Sequence, residues 1–285
     1  MDVSTYEKTV RDKFTALFNE NTKVESIYKK VKNGSAGYEE AHAFAVEVGN
    51  ILADLFGKTV DGENLDDIAL SVVENMLGQN VRLSSVVCES VQLNLNEAAE
   101  INIAPVEPSK ARTQSKVKGI MTNLKETGSV EKLQQSAKTL TLSTVDEWVK
   151  TNADFQAKAG LSPVIVRKWD GTRGSHDTKH TDYCSRLQGV YEYPVSDRRV
   201  YQRHEGCQCV ISYYPNKKAQ GRITALAKGE KDTDKQLWNT GQVFSTSRSA
   251  ELRRRRRENG KEEARKILNE EWKGGLNGNA ERHFK

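Results

Sequence analysis

The sequence predicts an α+β fold that is predominantly α, on three observations. Apolar residues recur at helical spacing through most of the first 160 positions of the 285-residue chain. Short β-branched runs stand out only from about residue 161. Cysteine and histidine gather in that same later stretch. The chain therefore divides into a helical N-terminal region (1–104), a linker (105–110), a helical block (111–160), a small Cys/His α+β module (161–215) and a basic C-terminal tail (216–285).

Taken in order, Val10, Phe14, Leu17 and Phe18 open an apolar stripe that Val24, Ile27, Tyr28 and Val31 continue. The break is expected at Asn33-Gly34-Ser35. Ala43, Phe44, Val46, Val48, Ile51, Leu52 and Leu55 give a second helix a broad apolar face, stopping near Gly57. Two further helical segments are expected at 64–77 and 80–98, the second rich in β-branched residues such as Val86, Val87 and Val91. Pro105 and Pro108 mark the linker. In the next block, Ser143-Thr144 ahead of Asp146 and Glu147 reads as a helix start, with Trp148, Val149, Ala153, Phe155 and Ala159 along it and Gly160 as its stop. Strands are expected at Val164-Ile165-Val166, Gly189-Val190-Tyr191 and Cys209 to Tyr214, and a last helix around 245–273.

Composition narrows the class. With 36% hydrophobic and 29% charged residues and a mean hydropathy of −0.71, the chain is polar for its size. That suits long solvated helices and surfaces made to meet partners. No run approaches the length and apolarity of a membrane span, and the opening MDVSTYEKTVRDKF has no apolar h-region, so neither a membrane-spanning segment nor a secretory signal is expected. Four cysteines are too few for a disulfide framework and point to a local site in a reducing compartment. The net charge of +5 is uneven: residues 216–285 hold 18 basic against 10 acidic side chains, so the tail is expected to face something anionic.

The chemistry-bearing cluster is His180-x3-Cys184 followed by His204-x2-Cys207-x-Cys209. Structural zinc takes four tetrahedral sulfur or imidazole ligands, usually in two short-range pairs. His180 with Cys184 and Cys207 with Cys209 supply such pairs, and His204 is a fifth candidate that can instead hydrogen-bond a ligand or a carbonyl. A closed four-ligand site leaves no open position for substrate, which favours scaffolding. Two other readings stay open, a cluster of reduced buried thiols and a nucleophilic Cys–His pair. The zinc-deaminase signature is missing, as are a phosphate-binding glycine loop, a serine nucleophile elbow and a paired-carboxylate pattern, so no catalytic residue is assigned. Cys88, in an apolar helical stretch, reads as a core thiol. Asp170, His176, Asp177 and Asp182 read as a polar loop rather than a hydrolytic site.

The run Val145-Asp146-Glu147-Trp148-Val149, Asn152-Ala153-Asp154-Phe155-Gln156, Ala159-Gly160-Leu161-Ser162-Pro163 and Val166-Arg167 carries a family resemblance. It continues through Tyr183-Cys184-Ser185-Arg186-Leu187-Gln188-Gly189, Tyr191-Glu192-Tyr193 and Val200-Tyr201-Gln202-Arg203-His204-Glu205-Gly206-Cys207-Gln208-Cys209. Over about 111–218 the chain resembles the minor head (minor capsid) proteins of tailed bacteriophages, related to the Mu-type head morphogenesis family. His180 stands where that family has its first cysteine, Thr181 where a second can occur, and Tyr183 in place of a tryptophan. The resemblance implies a virion structural protein without enzymatic activity, present in several copies. It would associate with the portal or the major capsid protein, in the head interior or portal-proximal, after assembly in the host cytoplasm. Contact with packaged double-stranded DNA, or ejection with it, is also implied.

Five consecutive arginines, Arg253, Arg254, Arg255, Arg256 and Arg257, lie in the tail. They suit sequence-independent phosphate contact, and they equally suit a solvated helix pairing with Glu251, Glu258 and Glu262. Two alternatives to a virion role follow. One is a zinc module that binds nucleic acid through the basic tail outside any virion; the other is a toxin or nuclease-type enzyme.

Overall fold

The computed structural model describes residues 3–169, 184–203 and 207–216. The expected tail helix and the arginine run, Arg253 to Arg257, lie outside the described residues, as do His180 and His204.

Among the described residues six helices come first: α1 (Val3–Glu20), α2 (Thr22–Lys32), α3 (Tyr38–Thr59), α4 (Asp67–Ala98), α5 (Lys110–Thr127) and α6 (Val130–Lys158). Three strands follow, β1 (Val164–Lys168), β2 (Gly189–Glu192) and β3 (Val210–Tyr214), with a 3-10 turn at Arg198–Tyr201 between β2 and β3. The protein is thus α+β and predominantly α, as its periodicity indicates.

Three boundaries differ from the sequence expectation, each for a local reason. The first stripe is two helices, because the Asn21 side chain accepts hydrogen bonds from the backbone N–H groups of Lys23 and Val24 and starts α2 afresh. Segments 64–77 and 80–98 are one 32-residue helix, started by Asp66 capping the Ala69 N–H. Ser143-Thr144 starts nothing: both hydroxyls donate back to the Leu140 carbonyl inside α6, and the true cap is Ser129, which accepts from Lys132 N–H.

The centre of the molecule is α3 lying against α6, with α4 packed on both. Gly49 of α3 permits that approach: a Cβ there would meet the Lys138 Cα at 3.3 Å and the Thr141 Oγ1 at 3.4 Å. At the end of the bundle, Gly62 and the left-handed Gly128 (φ 61°) let two loops touch. A Cβ on Gly62 would lie 2.0 Å from the Gly128 carbonyl oxygen, which no side chain tolerates. The apolar core runs from Val10 and Phe14 in α1 through Phe44, Leu52, Leu77, Leu95 and Trp148 to Ile165, Ile211 and Tyr213 of the strands. The segment between α4 and α5 is pinned by Asn152, whose amide accepts from the Val106 N–H at 2.9 Å and donates to the Val106 carbonyl at 3.0 Å.

The strands form one antiparallel sheet in the order β2-β1-β3. Arg167 of β1 pairs with Gly189 on one side and Ile211 on the other; Ile165 pairs with Tyr191 and Tyr213. By the two-residue period of a strand, Ile165, Arg167, Ile211 and Tyr213 share a face. Tyr213 anchors the sheet to the helices: its ring meets Tyr38 edge-on at 6.1 Å, and its hydroxyl donates to Gln156 of α6. From there a buried chain of amides runs on. Gln156 and Gln92 each donate to the Asn96 Oδ1, at 2.7 and 2.8 Å, and the Tyr38 hydroxyl donates to Gln92 at 2.9 Å.

Candidate metal centre

Three cysteines converge at the end of the sheet. Cys184 lies in a helical turn at 184–186, and Cys207 and Cys209 lead into β3. All three are buried, and their sulfurs lie within 4.8 Å of one another. Trp169 packs against them, beyond the end of β1. They are unbridged: the Cys184 and Cys207 sulfurs are 3.9 Å apart, nearly twice a disulfide bond. Tetrahedral thiolates at a metal–sulfur distance of about 2.3 Å stand about 3.8 Å from each other, so this spacing suits a shared ion. The cluster can hold a metal ion.

Without a cation, ionising these thiols is unfavourable. Burial first, then the neighbouring Cys207, pushes the Cys184 thiol up; the hydrogen bond with Cys207, then burial, does the same to Cys209 more strongly. A bound cation reverses that preference, because metal ligation needs thiolates and releases their protons.

Two buried arginines frame the cluster, and they differ in what they face. Arg203 is held by Asp146 of α6 through two hydrogen bonds, 2.5 Å to Oδ2 from Nε and 2.8 Å to Oδ1 from NH2. Its NH1 also donates to the Cys207 carbonyl at 3.3 Å. The pair ties the cysteine loop to α6, and the carboxylate beside it raises the Arg203 pKa against the opposing effect of burial.

Arg167 is 1% exposed and has no carboxylate partner among the described residues. Its NH1 donates to the Val200 carbonyl at 2.6 Å and the Gln202 carbonyl at 3.0 Å, capping the end of the 3-10 turn. Its NH2 lies 3.7 Å from the Cys184 sulfur and 4.0 Å from the Cys207 sulfur, and its Nε is buried with no hydrogen-bond partner. Guanidinium stays protonated, and a buried cation needs an anion. The sulfurs are the groups placed to supply one, and thiolates on a bound cation would do so.

Cys184, Cys207 and Cys209, all expected from their spacing, are therefore brought together, whereas His180 and His204 fall outside the described residues. Cys88 lies elsewhere, fully buried in α4, with its thiol pushed up by burial as suits a core residue. Sequence reasoning passed over the arginines. The signal was present in Val164-Ile165-Val166-Arg167, a cation directly after an apolar strand run, and in Arg203 beside the second cysteine arm.

An open groove of about 730 Å³ between α5 and α6 reaches the Asp146–Arg203 pair. Its wall includes Glu147, which holds Arg112 at 2.7 Å and Lys116 at 3.4 Å. No helix among the described residues is long and apolar enough to cross a membrane. Comparison with known protein families, with curated proteins and with solved structures finds no match to this chain.

Proposed function

We propose that the protein is a structural minor head protein of a tailed-phage virion, in which a zinc ion holds the small sheet to the helical body. The observation that carries the structural-metal part is the buried Arg167 against the three-cysteine cluster, with Asp146–Arg203 clasping the same loop to α6. Zinc fits this donor set: it binds thiolate sulfur tetrahedrally and has no redox chemistry of its own. His180 is proposed as the fourth ligand, with His204 as a hydrogen-bonding neighbour. The role of these residues is to fasten and orient; no reaction is assigned to them.

The virion role rests on the resemblance over 111–218. That stretch contains the clasp residue Asp146, the sheet anchor Gln156, Arg167 and Arg203, and all three cysteines of the site. The portal or major capsid protein, and packaged duplex DNA met by Arg253 to Arg257, are the proposed partners. Mass spectrometry of particles purified from the phage that encodes this chain should find it at low copy number. Its absence from particles, with free accumulation in the cytoplasm, contradicts the proposal.

A second reading has an observation of its own. Helix α5 carries Lys110, Lys118 and Lys125 besides Arg112 and Lys116, which pair with Glu147 of α6, against the single acid Glu126 of its own; that is a basic surface suited to nucleic acid even without a capsid. Duplex binding that weakens steeply with salt, by a chain missing from particles, would favour it.

A further inference from the structure

We infer that Arg167 is the buried counter-charge of the metal centre, and that by neutralising it Arg167 sets how tightly the centre holds its ion. This rests on the metal reading above and adds to it a residue that is not a ligand.

The charges decide the matter. A divalent ion with three thiolates carries a net charge of −1, and a fourth ligand without charge leaves that unchanged. Burying that charge uncompensated is costly, as is burying an unpaired guanidinium; together they cancel. The other buried cation, Arg203, cannot serve, because Asp146 already neutralises it through two hydrogen bonds. Lys168, next along β1, is half exposed and pairs with Glu39 at 2.5 Å. Among the described residues Arg167 is thus the buried cation left over, with NH2 directed to two of the three sulfurs. A fourth, anionic ligand would leave one buried negative charge unmatched, so the same arithmetic favours a neutral donor.

Arg167 also has a purely structural task, the hydrogen bonds of its NH1 to the carbonyls of Val200 and Gln202. The test must separate the two roles. Zinc affinity of the full reduced chain is measured by competition with a chromophoric chelator, for wild type, Arg167→Met and Arg167→Lys, alongside the melting temperature of each metal-free protein. Arg167→Met keeps the bulk and removes the charge; Arg167→Lys keeps the charge and loses the planar fork that reaches two carbonyls. The expected result is a loss of zinc affinity of about 10–100-fold in Arg167→Met, with Arg167→Lys within about fivefold of wild type. Cobalt(II)-loaded Arg167→Met should keep the thiolate-to-metal absorption of wild type, since no ligand is removed.

Equal affinity in wild type and Arg167→Met overturns the inference, as does an equal loss in Met and Lys, which assigns the residue to the carbonyl clamp. Should Arg167→Met fail to fold, the lysine variant decides alone: a loss beyond about fivefold overturns the inference. Wild type that binds no zinc or cobalt removes the metal reading itself, an outcome distinct from a metal-binding chain indifferent to Arg167.

Discussion

The sheet is fastened to the helices in two places, by opposite means. At one, Tyr213 and Tyr38 reach into an amide network of Gln92, Asn96 and Gln156, where neutral groups satisfy one another inside a dense apolar core. At the other, three cysteines, Arg167 and the Arg203–Asp146 pair bring formal charge into a buried space that balances once a cation joins the thiolates. The first attachment is complete from side chains alone and should be indifferent to metal and redox conditions. The second should depend on both. An ion at the cysteines would give the small sheet a removable fastening, at the end remote from its apolar one.

The largest effect should come from removing the metal. Chelation, or Cys207→Ser, is expected to lower the melting temperature by about 10 °C or more and to raise amide exchange over 184–214, while α3 and α6 stay protected. Uniform loss of protection would mean that the two attachments are not separable. Next in size is the clasp. Asp146→Asn should destabilise by about 3–5 kcal/mol, because it leaves Arg203 buried without its carboxylate. Removing both partners in Asp146→Leu/Arg203→Met should cost clearly less than the two single losses added together, as read by denaturant titration.

On the neutral side, Tyr213→Phe removes the hydroxyl that donates to Gln156 and should cost about 1–3 kcal/mol, equally with and without metal. A metal-dependent cost would show the network coupled to the cysteine site. The same region should contribute to the alkaline limit of stability. Burial first raises the pKa of Tyr213, and with it those of Tyr214 (to about 12) and Tyr193 (to about 12, aided by Asp154). The folded values lie above the unfolded tyrosine value near 10, so this stabilisation is complete below about pH 10 and is lost as pH rises through the folded values. Melting temperature should therefore fall from about pH 10 upward, and less steeply in Tyr213→Phe once its lower starting stability is subtracted. The smallest change should be Lys29→Ala. Its exposed partner Glu25 lies one helical turn away, and the loss should stay within about 0.5 kcal/mol.

The element boundaries around the neutral attachment were readable in advance, but its amide network was not. The strand positions, the Gly160 stop and the break after α2 follow from β-branched runs and glycine chemistry. The continuity of α4 and α6 was not, because Ser143 and Thr144 carry the same chemistry as a cap and only the Leu140 carbonyl decides how they use it. At the charged attachment, the cysteine spacing announced the site, since ligand pairs are local in sequence. Its frame is not local: Asp146 and Arg203 are 57 residues apart, and Arg167 meets Cys207 across 40. No spacing rule links such positions; a lone arginine inside an apolar strand was the available hint.

The central claim is that Cys184, Cys207 and Cys209 are thiolates on a single ion. Elemental analysis of the full chain, purified under reducing conditions without chelator, tests it most directly. One zinc per chain is expected, falling to none in Cys207→Ser; a wild-type chain free of metal, with the same melting temperature before and after zinc is added, contradicts it.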